Sequence, residues 1–409
     1  MNLLSSFTKK SNVFYACLQS THWMLCAAFG GFAALFMANR GLSDTQSGIV
    51  FSLAAVGCVL LQIFVSDFSD KHPRIPLKRI IAVFYILAVV TFACLLWIPS
   101  SVAFVMIAFV CGYAFLTSLN GFLNALIMQL HNVGLPINFG IPRGIGSVAY
   151  AIIAFVLGLV IEATSVEVTL PVSIAIGILA IICVLSVPRP DRVVQQCGLT
   201  PPVEPSRQVS ILTMLKSNKI LVFLMLATTL TFIGQSVFYT FLIRAVENVG
   251  GNTADLGTCY LINSGFELPT LFLASLLLKR FSSKGILTVS FLVFFLRSLT
   301  LALAPSIEVV YLSCAMSIGG LGLFGFASVY FVNEIVPDSQ QVRGQSLVSL
   351  CSLNGISAII SSLMSGVVLD QLGVSALLFL YAGFSLLGFF VMLYVRRLHR
   401  NRHVPVKSN

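Results

Sequence analysis

The chain has 409 residues, 57% of them hydrophobic and only 9% charged, with a formal net charge of +10. Soluble globular proteins devote roughly 25% of their residues to charge, so this chain cannot cover a surface with polar groups, and its solvent is lipid. That excludes a soluble enzyme, and the placement of the basic residues excludes a nucleic-acid surface.

Met1 to Lys10 is polar and basic, and the apolar run behind it is too long for a cleaved signal peptide. A run of about 20 apolar residues crosses the hydrocarbon core. Such runs lie at 13–38, 47–66, 79–98, 102–128, 143–162 and 168–187. Six more lie at 220–242, 256–278, 285–303, 309–332, 345–369 and 374–395. Between the two sets, 188–219 holds Pro188, Pro190, Pro201, Pro202 and Pro205 among basic residues and reads as a flexible linker. The prediction is an all-α membrane protein of twelve transmembrane helices in two pseudo-symmetric six-helix bundles. Residues 1–187 and 220–409 form the bundles, and 188–219 joins them.

Charge placement supports this map. With a cytoplasmic N-terminus, outer loops hold only Arg40 and Arg244, while Arg143 and Arg297 lie within spans. The 24 Lys+Arg less these four leave 20 on the inner side, a strong positive-inside bias. The expected location is the cytoplasmic (inner) cell membrane, multi-pass, with both termini inside. Nine of the ten cysteines fall in apolar spans and only Cys197 in a loop. Neither a disulfide framework nor a metal cluster is therefore indicated. No Walker loop or G-x-S-x-G is present, and no cofactor is expected.

Polar groups inside the runs are the candidate site. The first run carries Gln19, His22 and Trp23, and the fourth Asn120 and Asn124 at i, i+4. The fifth opens on Arg143, with Tyr150 seven residues on and thus on the same helical face. The seventh carries Gln235 and Tyr239, and the eleventh Asn354. Asn and Gln also join membrane helices without touching a ligand, and an aromatic is more often core or lipid-facing than a platform. Of the 14 acidic residues, Glu267 alone is centred in a span. Placing it there costs roughly 2.5–3.5 kcal/mol on insertion scales. Burial makes a carboxyl keep its proton and a nearby guanidinium makes it release one, so a carboxyl under both influences can load and unload. Arg297, in the ninth span, is its expected partner, either for coupling or as a structural pair. Pro269 frees a backbone carbonyl near the glutamate.

The halves repeat. Pro142-Arg143-Gly144 opens the fifth span and Val342-Arg343-Gly344 the eleventh, and the basic loop after the second span has a weaker counterpart at Lys279 to Lys284. Paired halves of this kind build one large group of secondary transporters. The loop Ser66-Asp67-Phe68-Ser69-Asp70-Lys71, with a basic cluster after it, resembles the signature loop of the major facilitator superfamily, although the glycine usual early in that motif is missing. Asp67, Asp70 and Lys71 are thereby implied as a conformational loop. Phe139 to Tyr150, Gly265-Phe266-Glu267-Leu268 and Phe295-Leu296-Arg297 look like the branch containing lactose permease, nucleoside symporters and phenylpropionate permeases. The resemblance implies that Arg143 binds substrate, that Tyr150 is a stacking platform, and that Glu267 and Arg297 serve coupling. Asn124 and Ala125, and Met316 and Gly319, stand where lactose permease has its other substrate and coupling groups, so a galactoside is not supported.

The expected function is secondary active transport, a proton-coupled symport of a small polar solute of the sugar, nucleoside or aromatic/organic acid class. The rivals are a proton-antiport exporter of drugs or metabolites and a non-transporting receptor on a transporter fold. Partners are the solute, protons and the lipid bilayer, with no nucleic acid and a monomeric chain.

Overall fold

The computed structural model describes residues 3–72, 74–98, 101–132, 135, 140–189, 193, 195–196, 211–337, 340–353 and 355–402. Every regular element among them is helical. This is what an apolar solvent demands, because only a helix satisfies all its backbone polar groups within one segment. Nine helices among the described residues are long and apolar enough to cross a membrane, and Lys219–Gln235 is a shorter apolar one. The chain is an all-helical membrane protein.

Two compact units result: Met1–Glu204 with Asn252–Leu261, and Pro205–Gly251 with Ile262–Asn409. In the first, α1 (Leu3–Leu25) passes through a π-helical stretch at Cys26–Gly31 into α2 (Ala33–Asn39). The helices α3 (Asp44–Lys71), α4 (Leu77–Trp97), α5 (Val102–Asn132), α6 (Gly140–Ala163) and α7 (Thr169–Ser186) follow. Helix α1 packs on α6 and α7, and α5 on α3 and α4. Ser43 caps α3 by accepting from the Gln46 amide, and Gln46 answers on the Ser43 N–H. The core is aromatic, with Phe29 stacked on Phe109 at 4.5 Å and beside Phe92 at 4.1 Å. Outward positions are apolar as well, Leu60, Ile63 and Phe64 being 61–65% exposed; in lipid that is a satisfied surface.

The second unit contains α8 (Ile211–Ser217), α9 (Lys219–Gln235), α10 (Val237–Thr240) and α11 (Leu242–Asn248). The following helix, α12 (Thr253–Arg280), starts in the first unit and continues in this one. After it come α13 (Ser283–Ala302), α14 (Ile307–Ala315), α15 (Leu321–Ile335), α16 (Gln341–Leu350) and α17 (Ile356–Arg402). Helix α17 packs on α9 and α13, and α15 on α13. Phe232, Phe291, Phe294 and Phe324 interlock between them.

Several expected continuous spans are interrupted. The seventh breaks at Ser236 and Phe241, and the tenth passes through a 3-10 turn at Met316–Ile318 before Gly319 and Gly320. The eleventh stops at Leu350 and resumes at Ile356. Gly373, with φ 80°, marks the bend where the last two expected spans meet within α17, a left-handed conformation that only glycine takes at no steric cost. Hydropathy sums are blind to such breaks, because the interrupting residues are themselves apolar or small.

Candidate functional site

In the first unit a ladder of side chains runs along one face of α1. Tyr15, Gln19 and Trp23 are spaced i, i+4, i+8 and therefore stack along that face. Gln19 donates from Nε2 to the Tyr15 hydroxyl at 3.1 Å and accepts from Trp23 Nε1 at 2.9 Å. Arg143 lays its guanidinium over the Trp23 ring, 4.0 Å from the centroid, a geometry in which the ring face attracts the cation. Helix α6 begins at Gly140, ahead of the expected 143, which carries Arg143 inside the helix while leaving its side chain exposed. Gly146 makes the approach possible: a Cβ there would lie 2.8 Å from Trp23 Cδ1 and 3.2 Å from the Gln19 carbonyl oxygen.

Tyr150, two turns beyond Arg143, sets its ring edge-on to Trp23 at 6.4 Å. It also meets Tyr260, which sequence reasoning did not single out, at 6.0 Å. Tyr260 donates its hydroxyl to the Gly31 carbonyl at 2.7 Å, satisfying an acceptor at the break between the π-helical stretch and α2. His22 is 1% exposed. Its Nδ1 lies 3.2 Å from the Tyr85 hydroxyl and its Nε2 is 3.7 Å from Cys26 Sγ. On α5, Asn120 is half-buried and Asn124 exposed.

In the second unit the organising group is Arg297. It is 0% exposed, and among the described residues no other Arg, Lys, Asp or Glu is buried. Its Nε donates to the Ser313 carbonyl at 3.2 Å, Nη1 to Gln235 Oε1 at 3.3 Å and Nη2 to Asn263 Oδ1 at 2.5 Å. The Phe238 ring lies 3.5 Å from the guanidinium carbon. Gln235, predicted as a ligand contact, is wholly buried and turned onto this arginine. Its amide nitrogen faces the Phe294 carbonyl and the hydroxyls of Ser298 and Ser385, which fixes the oxygen toward Arg297. Tyr239 is half-buried and stands within electrostatic reach of the guanidinium.

Glu267 is half-buried, one turn along α12 from Asn263 on the same face, and within electrostatic reach of Arg297. Its backbone carbonyl accepts from Thr270 Oγ1 at 2.6 Å, and Pro269 sits inside the continuous helix. Sequence reasoning missed Asn263; the available signal was its i−4 position from the one intramembrane carboxylate. Ser298 and Ser385 carried none. Asn354 lies outside the described residues, as does the side chain of Asp70. In the loop after α3, Asp67 and Lys71 pair at 2.7 Å with both side chains exposed.

No group of three or more His, Cys, Asp or Glu among the described residues could hold a metal ion. The first unit thus offers an accessible cation on an aromatic bed, suited to a polar solute with a flat face. The second offers a wholly buried positive charge held by neutral carbonyls, with a half-buried carboxyl within electrostatic reach.

A curated relative, the uncharacterized transporter YwbF of Bacillus subtilis (strain 168), is 22% identical over 372 residues, covering 89% of this chain and 88% of its own. Among solved structures, a mutant of the nucleoside transporter NupG superposes with a TM-score of 0.76 at 16% identity, covering 94% of this chain and 99% of its own. A bacterial homolog to the human lysosomal transporter Spinster, inward-facing and unoccupied, gives 0.67 at 13% identity over 98% and 99%. A family model described as the MFS_1 like family matches residues 15–381. With the helical architecture and the shared fold, that match identifies the chain as a member of the MFS_1-like family, a transporter of the major facilitator superfamily.

Proposed function

We propose that this transporter is a proton-coupled symporter of a small polar solute of the sugar, nucleoside or aromatic/organic acid class. It acts in the cell membrane by alternating access of two six-helix halves, 1–187 and 220–409, with both termini cytoplasmic and the chain monomeric. Glu267 carries the proton and Arg297 tunes its release. Arg143, Trp23 and Tyr150 bind the solute, and His22, Asn120, Asn124, Tyr239 and Asn354 are proposed as further substrate contacts. Asp67, Asp70 and Lys71 act as a conformational loop.

The observation that carries this reading is the surroundings of Arg297: the guanidinium is wholly buried, its hydrogen bonds reach neutral carbonyls, and Glu267 stands within electrostatic reach. A carboxyl in such a field gains and loses a proton as its exposure changes. The nucleoside class is supported by fold likeness to NupG alone. Glu267→Gln should abolish uphill accumulation while counterflow persists. Accumulation at the wild-type level would end the coupling role. Thermal stabilisation of the purified protein by sugars, nucleosides and aromatic acids would identify the solute class, and everted vesicles with an imposed pH gradient would give its direction.

A further inference from the structure

A wholly buried guanidinium must have its charge solvated from within. At Arg297 three acceptors do this, and each is a neutral carbonyl: Ser313 O from α14, Gln235 Oε1 from α9 and Asn263 Oδ1 from α12. Two of the three are side-chain amides, which a single atom separates from carboxylates of the same shape. Gln235 is itself pinned by Phe294, Ser298 and Ser385. The backbone at Asn263 is held too, its carbonyl accepting from Ser317 Oγ at 2.6 Å. The titratable groups acting on the guanidinium are Tyr239 from α10, Cys314 from α14 and Glu267 from α12. From α9 and α17 come the neutral Gln235 and Ser385.

Amide and carboxylate at these positions would have opposite consequences. A carboxylate would form an ion pair with Arg297 and cancel its field. An amide oxygen contributes a dipole that stabilises the charge and leaves its net value intact. Asn263 lies one turn from Glu267 on a shared helix face, so whatever it does to Arg297 is felt at the carboxyl.

We propose that Asn263 and Gln235 are positioning residues, a neutral amide cradle that keeps Arg297 charged, oriented and uncommitted so that its field reaches Glu267. This deepens the proton-coupling reading above and rests on it. Asn263 is the more direct of the two because the same helix carries the carboxyl.

The test is infrared titration of the full-length protein in liposomes, with the proton as the only probe. The Glu267 carboxyl band is isolated by subtracting the matching Glu267→Gln protein. In Asn263→Asp, measured against Asn263→Asp/Glu267→Gln, the added negative charge neutralises Arg297 and repels a charged Glu267. The titration midpoint of Glu267 should therefore move to higher pH by about one unit. An unmoved midpoint in folded protein overturns the proposal. Because the new carboxylate also acts through its own charge, Asn263→Leu, which removes the amide without adding charge, must move the midpoint as well; an unmoved midpoint there is equally fatal. Should Asn263→Asp fail to fold, Gln235→Glu places a carboxylate at the other amide and must give the same alkaline shift; no shift there is equally fatal. If the wild type shows no titrating band against Glu267→Gln, the coupling reading itself fails. If the band titrates and neither carboxylate moves it, only the amide cradle is refuted.

Discussion

Two glycines on one helix provide a controlled measurement of how α1 and α6 fit. A Cβ at Gly146 would stand 2.8 Å from Trp23 Cδ1 and 3.2 Å from the Gln19 carbonyl oxygen, whereas at Gly144 it would meet nothing within 4 Å. Ordinary carbon contacts lie at roughly 3.5–4.0 Å, so Gly146→Ala drives an overlap of about 0.7 Å or more into a tryptophan ring and a neighbouring backbone. Overpacking of this kind costs about 1–3 kcal/mol. Alanine in place of glycine within a helix returns up to about 1 kcal/mol of propensity, and Gly144→Ala receives that gain without the clash. The two variants should therefore differ by about 1–3 kcal/mol, Gly144→Ala being neutral or stabilised and Gly146→Ala destabilised. Unfolding of both purified proteins by SDS titration, side by side, reads the difference directly. Because Trp23 supports Arg143, Gly146→Ala should also weaken solute-induced thermal stabilisation and Gly144→Ala should not. Equal stabilities would refute the close packing of α1 on α6 on which the first-unit site is built.

Three further outcomes follow from the described contacts. Arg40 grips Glu167 through Nε at 2.8 Å and Nη2 at 2.7 Å, with Asn39 also donating to that carboxylate. The side chains are 23% and 33% exposed, so Glu167→Gln should lower stability by only about 1 kcal/mol in the same titration. Glu167 holds the Arg40 guanidinium above its ordinary value. The stabilisation is therefore complete below that ordinary value and lost only as pH rises through the raised one, so the guanidinium side should contribute no stability change between pH 6 and 9, roughly the working range of a membrane protein. A double-mutant cycle of Arg297→Met with Asn263→Leu should give a coupling of about 0.6 kcal/mol and no more than about 1.7 kcal/mol, the average and the maximum found for hydrogen bonds between membrane helices; strict additivity would contradict the contact. The Asp67–Lys71 pair is exposed on both sides, so Asp67→Asn should change stability by less than about 0.5 kcal/mol. A large loss of uptake in that variant would then report on the conformational loop and not on folding.

Much of the architecture was legible from one-dimensional sums. Twenty-residue apolar runs needed no knowledge of what touches what, since lipid acts on each segment separately. The same reasoning isolated Arg143, Glu267 and Arg297, because a charge in an apolar run is conspicuous wherever the run packs. Breaks within spans were not legible. The stop at Leu350 and the bend at Gly373 arise in stretches whose composition differs little from uninterrupted helix.

What the sequence determined by itself is the solvent, the helical class, the family resemblance and which ionisable groups sit inside apolar segments. Only the tertiary structure decided partners. It gave Arg297 three neutral carbonyls from α9, α12 and α14, and gave Tyr150 a neighbour in Tyr260 from more than a hundred positions along the chain. The physical reason is reach. Hydropathy is additive and local, but a hydrogen bond between helices depends on rotation and depth to within an ångström, and many asparagines, glutamines and serines in these spans could have met that arginine until the packing chose among them.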